Sequence, residues 1–397
     1  MVARPEKAAV PFNPAVLRWA RERRRLAPED AARHASVSAE RLSEWEAGTA
    51  KPSVGQGRRL AAFYDRPFLE FLSPTLPEVA TPQLVPDFRF HRVPPSSLEV
   101  TSLESVQIWA EEQRLNALTL YDELGETAPR FPPEMRASVA DDPDKIAAKV
   151  RRLFRFSIDA QLNLKSVERY KFPSMLRSVF ESVGVIILKQ SGLSKARARG
   201  LCLYDETLPI IVFGNESPGA QAFTLVHEFA HIVLGCSALS GPPRIGHRYG
   251  LAGKQIEAWC NSFAAAFLMP ADAVRSHRLA PKTYVQTMPD SLIGALASAF
   301  CVSRQAMLIR FVSLGLFDPW YYWRVKRPQF IKEEGEFESG GRPEYYGSRF
   351  RNTLGDLYTG LVVEALETGK IGFQSAAEFM GTRRVSHLLD IRDHFVR

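Results

Sequence analysis

The stretch Phe223-Thr224-Leu225-Val226-His227-Glu228-Phe229-Ala230-His231 decides how this 397-residue chain is read. Two histidines four positions apart share one face of a helix, so both imidazoles can reach a single metal ion. Glu228 adjoins the first and is placed to take a proton from an attacking water. With eight His and 44 Asp plus Glu in the chain, composition alone would give roughly 0.02 such motifs, so coincidence is a weak account. The competing reading is an amphipathic helix with two surface histidines, and the flanking residues decide between the two.

Ser217-Pro218-Gly219 marks a helix start, because proline suits the first helical position. Phe223, Val226, Ala230 and Val233 recur at helical spacing, and Gly235 stands where a capping glycine would end the helix. Both histidines therefore fall mid-helix. A second helical pattern covers residues 255–269 and stops at Pro270, with Glu257 near its start in otherwise apolar company. A buried carboxylate is costly unless it is paired or bound to a metal. Two histidines and one glutamate would leave a fourth tetrahedral position open, which separates catalytic from structural zinc. Glu257 also has a plainer explanation, as an acid favoured by the dipole at a helix N-terminus.

The first helix, followed by Glu257-Ala258-Trp259-Cys260-Asn261-Ser262-Phe263-Ala264-Ala265 and Leu268-Met269-Pro270, resembles the ImmA/IrrE family of zinc metallopeptidases. That family's pattern is Phe-Thr-Leu-Ala-His-Glu-x-x-His, then Glu-x-x-Ala-Asn-x-Phe-Ala-Ala, ending in Leu-Met-Pro. The resemblance implies a zinc metallo-endopeptidase in which His227, His231 and Glu257 hold Zn2+ and Glu228 is the catalytic acid/base. It also implies a protein substrate: a repressor, or the chain's own DNA-binding segment, in a stress, phage or mobile-element circuit. A toxin or self-association are the further partners it brings. The chain departs from the pattern at Val226 and Cys260, both alanine in the family, and the Cys260 thiol offers the metal an alternative ligand.

Upstream, residues 184–188 form a β-branched run typical of a buried strand, and 200–204 and 209–213 flank 205–208 as a hairpin. By resemblance this small sheet shields one side of the zinc, and its edge could pair with an extended substrate backbone. No oxyanion donor can be assigned; His247 and Tyr249, in the Gly/Pro-rich loop between the two zinc helices, are candidates beside the plainer reading as solvent-exposed loop residues.

The N-terminus carries a second signature. Ser38 has the place of an N-cap, Leu42 and Trp45 face inward at i, i+3, and Gly48 ends the helix. The ending Trp45-Glu46-Ala47-Gly48, with Lys51-Pro52-Ser53, then Leu60-Ala61, Phe63-Tyr64, Phe68-Leu69 and Phe71-Leu72, resembles an XRE/Cro-type helix-turn-helix over residues 12–73. In such domains the start of the second helix enters the major groove. The candidate contacts to double-stranded operator DNA are then Ala39, Glu40, Arg41, Ser43, Glu44 and Lys51, with the Arg21 to Arg25 run as further backbone contacts. Two acids on that face repel phosphate, and residues 1–70 carry 13 Lys and Arg against 9 Asp and Glu, only +4. A helix-turn-helix used for dimerisation or partner binding is the alternative.

A net charge of +7 and a pI near 9.2 permit nucleic-acid contact without requiring it. Cys202, Cys236, Cys260 and Cys301 show no CxxC spacing, which fits reduced thiols in a cytoplasmic protein; no leader and no membrane-spanning run is read, so no membrane partner is expected. Residues 98–124 and 143–154 read as helices of an interdomain arm, 292–307 as a helix-turn-helix-like pair belonging to the peptidase fold, 335–349 as a Gly-rich loop, and 353–390 as two or three small helices. The expected architecture is multidomain and mainly α with a small mixed β-sheet: an N-terminal helix-turn-helix bundle, an α+β zincin-like domain of the gluzincin type, and a small helical C-terminal region. The expected boundaries are 1–76, 77–140 (proline-rich linker and arm), 141–330 and 331–397. The expected function is a transcriptional regulator with zinc-dependent endopeptidase activity. A rival keeps the same site without turnover: a DNA-binding regulator or antitoxin-like protein whose peptidase domain serves as sensor or scaffold.

Overall fold

The computed structural model describes residues 12–24, 26–64, 66, 68–76, 97–240, 251–335, 346–382 and 385–395. Most of the proline-rich stretch with Asp87-Phe88-Arg89-Phe90, the loop with His247 and Tyr249, and residues 336–345 of the Gly-rich loop lie outside them. The chain divides into two compact units, one N-terminal and reaching Thr101, the other holding everything from Ser102 onward.

The N-terminal unit contains α1 (Pro14–Arg23), α2 (Pro28–Ala35), α3 (Ala39–Ala47) and α4 (Val54–Tyr64). Its turns follow from local chemistry. Asn13 caps α1 by accepting from Ala15 N, Ser38 caps α3 by accepting from Arg41 N, and Gly48 ends α3 in the left-handed conformation. Val16, Leu17, Ala32, Leu42, Trp45, Leu60 and Tyr64 close one core.

The larger unit is built on a four-stranded mixed sheet. The chain runs through α5 (Ser97–Leu124), α6 (Pro143–Leu153), α7 (Ile158–Leu162) and α8 (Phe172–Glu181) before β1 (Ile186–Lys189), α9 (Gly192–Lys195), β2 (Gly200–Leu203) and β3 (Ile210–Phe213). Then come α10 (Pro218–Val233), β4 (Ala238–Ser240), α11 (Leu251–Leu268), α12 (Ala271–Ser276), α13 (Asp290–Ala299) and α14 (Arg304–Ser313). The strand order is β1-β3-β2-β4, with β1 parallel to β3 and β2 antiparallel to both β3 and β4. Successive residues of a strand face opposite sides. Ile187, Cys202, Ile211 and Phe213 accordingly pack with Phe180, Phe229 and Phe263 in one core. Ile186, Leu188, Leu201, Ile210 and Val212 pack in a second core with Leu103, Val106, Tyr358, Val362 and Leu388.

Three buried side chains hold the end of α11. Arg151 donates to Phe267 O (2.6 Å) and to Gln161 Oε1, Gln161 Nε2 donates to Leu268 O (3.0 Å) and Phe300 O (2.8 Å), and Arg310 Nε donates to Met269 O (3.0 Å). Carbonyls at a helix C-terminus have no partner within the helix, and burying them bare would be costly. Burial pushes the Arg151 guanidinium down to about 10. The Leu268-Met269-Pro270 ending thus belongs to the packing that fixes α11 in place. The α13–α14 pair turns by 92°, with Ser303 capping α14 by accepting from Ala306 N. Its residues Ile293, Leu296, Phe300, Met307 and Phe311 lie in the first core.

Beyond α14 the chain forms α15 (Pro319–Tyr321), a π-helical turn (Tyr322–Lys326), α16 (Arg327–Gly335), α17 (Tyr346–Leu354), α18 (Asp356–Glu367), α19 (Phe373–Phe379) and α20 (Val385–Phe395). The start of α18 is tied to α8. Glu181 accepts from Asp356 N at 3.1 Å, and Arg177 donates to Asn352 O (2.8 Å) and Ile187 O (3.1 Å). Burial pushes the Glu181 carboxyl up to about 7 against the pull of Arg177. A carboxyl raised in the folded state binds more protons there than when unfolded, so its effect on stability turns unfavourable as pH rises from about 4.5 to about 7. Glu181→Gln keeps an acceptor and removes the charge. In urea melts the variant should gain stability relative to wild type between pH 5 and pH 8; a difference unchanged between those values would contradict this assignment.

Among the described residues no single helix is long and apolar enough to cross a membrane.

Candidate metal centre

Both histidines sit in the second half of α10, whose start is set by Ser217 at the N-cap and Pro218 at the first helical position. Past its end Gly235 adopts φ +70°, a conformation that favours glycine, and turns the chain toward β4. The central part of α10 is enclosed by the sheet, α8 and α11, leaving His227 5% exposed and Glu228 and His231 fully buried.

Helix α11 starts at Leu251, earlier than the sequence pattern indicated, and this changes the meaning of Glu257. Glu257 lies in the second turn, past the reach of a first-turn dipole effect, and is directed at the histidines. Its Oε1 is 3.1 Å from His231 Nε2, its Oε2 is 3.4 Å from His227 Nε2, and the two Nε2 atoms are 3.2 Å apart. A tetrahedron with ligand bonds of about 2.0–2.1 Å has edges of roughly 3.3–3.4 Å. The two imidazole nitrogens therefore lie near the spacing of adjacent ligands, and each has one Glu257 oxygen at a similar distance. Two imidazole nitrogens and a carboxylate oxygen are also a donor set suited to zinc. His227, His231 and Glu257 form the one group of three His, Cys, Asp or Glu residues among the described residues that could hold a metal ion.

The electrostatics of the metal-free cluster point the same way. Burial opposes charge on His227, but the Glu257 carboxylate and its hydrogen bond outweigh burial and raise the imidazole above 6.5. Burial lowers His231, with Glu257 partly compensating and the neighbouring His227 adding to the fall. Burial would raise Glu257, yet the charge and hydrogen bonds of His227 and His231 prevail and hold its carboxyl down at about 2. The Glu257 carboxylate thus favours a proton on His227, in the place suited to a metal. Zn2+ must displace that proton. Zinc affinity should still be rising as pH climbs above 6.5, measured by chelator competition; a curve already flat by pH 6.5 would be at odds with this direction.

Glu228 is placed by a feature that the sequence reading did not single out. Its carboxylate presses on Gly200 in β2, where a Cβ would fall 2.1 Å from Oε1, 2.6 Å from Cδ and 2.7 Å from Cγ. A lone glycine inside a strand pattern is the signal that could have shown this close approach. One turn before Glu228, Thr224 Oγ1 donates to Glu216 Oε2 at 2.7 Å, and Glu216 pairs with Arg199, the residue before Gly200. The start of β2 and the helix are thus cross-linked beside the carboxylate.

The Cys260 thiol lies on the other side of the site from the position of a direct ligand. Its Sγ is 3.5 Å from His231 Nδ1, while His231 Nε2 faces the ligand cluster.

On the helix-turn-helix unit, Glu40, Arg41, Ser43, Glu44 and Lys51 are exposed and Ala39 is half-buried. Arg41 is held by Glu44 at 2.5 Å, and Ser43 Oγ donates to Ala39 O. Arg21 does not extend the basic run outward. It is engaged with buried Glu46 through two bonds of 2.7 and 2.8 Å, because an arginine fork matches a carboxylate and a buried carboxylate needs a close partner.

A helix carrying His-Glu-x-x-His, with a glutamate from the next helix completing the donor set, defines the gluzincin type of metal site. Residues 183–312 match the IrrE N-terminal-like domain of the M78 peptidases, and residues 15–68 match a helix-turn-helix domain family. The chain therefore carries an N-terminal helix-turn-helix and an ImmA/IrrE-type domain, as its motifs imply. No curated protein matches it.

Proposed function

We propose that this chain is a transcriptional regulator with zinc-dependent endopeptidase activity, and that its substrate is a repressor or partner regulator. The observation that carries the reading is the meeting of His227, His231 and Glu257 within 3.4 Å of one another beside a fully buried Glu228. When bound, zinc would acidify a water and polarise the scissile carbonyl. Glu228, fixed against Gly200, takes the proton of the attacking water and returns it to the leaving amine. The sheet edge at β4 offers backbone groups to an extended peptide. The experiment is incubation of the zinc-loaded chain with repressors encoded beside it, followed by mass spectrometry of the products; intact repressors throughout would favour a sensor or scaffold.

The N-terminal unit is the proposed operator-binding element, through Ala39, Glu40, Arg41, Ser43, Glu44 and Lys51, and the chain acts in the cytoplasm. The boundaries 1–76, 77–140, 141–330 and 331–397 are proposed functional divisions. With Arg41 tied to Glu44 and Arg21 turned inward, two of the cations that the sequence offered to phosphate are already engaged. In gel shifts on the chain's own promoter the affinity should fall only shallowly with salt, since each phosphate contact contributes a log–log slope of about −0.9. A steep slope, or binding that survives removal of residues 1–76, would contradict this.

A further inference from the structure

His231 is gripped at both ring nitrogens. Nε2 faces Glu257 and His227, while Nδ1 faces two sulfurs, Cys236 Sγ at 3.6 Å and Cys260 Sγ at 3.5 Å. Cys236 follows the end of α10, and its Sγ also lies 3.6 Å from His231 O. Cys202 on β2 donates its S–H to Cys236 O at 3.6 Å, which ties the segment carrying Cys236 to the strand. Cys202 and Cys260 are buried and Cys236 is partly buried. A zinc-ligating histidine almost always donates its remaining N–H to a carboxylate, a carbonyl or water, which fixes the tautomer and the ring orientation. At His231 the two thiols occupy that place.

We propose that Cys236 and Cys260 are the positioning residues of the metal centre: their sulfurs accept the Nδ1–H of His231, so that Nε2 presents its lone pair to the metal. This rests on the zinc reading above. The role accounts for two cysteines, widely separated in sequence and without metal-ligand spacing, meeting at one nitrogen. It also assigns the Cys260 thiol to the support of a ligand in place of direct coordination.

The test uses the full chain, with Zn2+ affinity read by chelator competition and Co2+ substitution read by visible absorption. Replacing both thiols (Cys236→Ala with Cys260→Ala) should weaken Zn2+ binding by about 10- to 100-fold and shift the cobalt d–d bands, the range expected for losing such support. The paired Cys→Ser variant should recover most of the affinity, because a hydroxyl still accepts the N–H. Melting of the metal-free proteins separates lost support from lost packing; if the paired alanine variant does not fold, Cys260→Ala against Cys260→Ser gives the same comparison. Wild-type affinity and cobalt bands in the alanine variants would overturn the proposal, as would serine variants no better than alanine. A sulfur-to-cobalt charge-transfer band that disappears in Cys260→Ser would also overturn it, by making Cys260 a ligand. A wild-type chain that takes up neither Zn2+ nor Co2+ would instead fail the zinc reading and the inference with it.

Discussion

Glu228→Gln should retain one zinc and lose cleavage by on the order of 10²–10⁴-fold, the usual contribution of a positioned acid/base group. The amide is isosteric but cannot take the water's proton. Glu228 is fully buried, and a neutral side chain is cheaper to bury than a carboxylate, so the variant should melt no lower than wild type. Loss of turnover with zinc and fold intact would place the defect at the proton-transfer step. Cleavage of the same repressor at the wild-type rate would remove Glu228 from the mechanism. Absence of cleavage by the wild type, with zinc retained, would point to the non-catalytic rival.

Gly200→Ala is expected to have an effect of similar size on cleavage without touching any residue of the motif. The added methyl would lie 2.1–2.7 Å from three atoms of the Glu228 side chain, inside any tolerated contact. Strand β2 is paired on both sides, by β3 and β4, and α10 packs across it, so the backbone has little room to retreat. The carboxylate must swing away from its place beside the ligand cluster. Zinc should be retained, turnover should fall toward the level of Glu228→Gln, and stability should drop by about 1–3 kcal/mol, as for other overpacked cores. A double-mutant cycle gives the sharper reading. In a Glu228→Ala background the same Gly200→Ala change should cost little, because the group it collides with has gone. An equal cost in both backgrounds would mean that the strain lies elsewhere.

The cluster of His227, His231 and Glu257, its neighbour Glu228 and the strands β1 to β3 were legible in the sequence because each has a local signature: a four-residue spacing, a carboxylate in apolar company, short β-branched runs. What was hidden depends on contacts between distant segments. Strand β4 is three residues, Ala238-Leu239-Ser240, with nothing in its composition to mark it; pairing with β2 makes it a strand. The start of α11 was obscured by Gly253 and by the Gly/Pro-rich run before it, which read as loop. Arg21 belonged by sequence to a basic run, and its partner Glu46 lies 25 residues away. The two thiols at His231 have no shared motif, since one follows the end of α10 and the other lies on α11. The second face of the sheet could not be foreseen either. Leu103 and Val106 of α5 and Leu361 and Val362 of α18 lie in stretches that read as helices, but a helical pattern does not say which surface a helix covers.

The central claim is that His227, His231 and Glu257 together bind zinc. Metal analysis of the full chain, purified without chelators and compared with Glu257→Ala, tests it most directly. About one zinc per chain in the wild type and a marked loss in the variant is the predicted result. A wild type without zinc, or a variant that holds as much as the wild type, would contradict it.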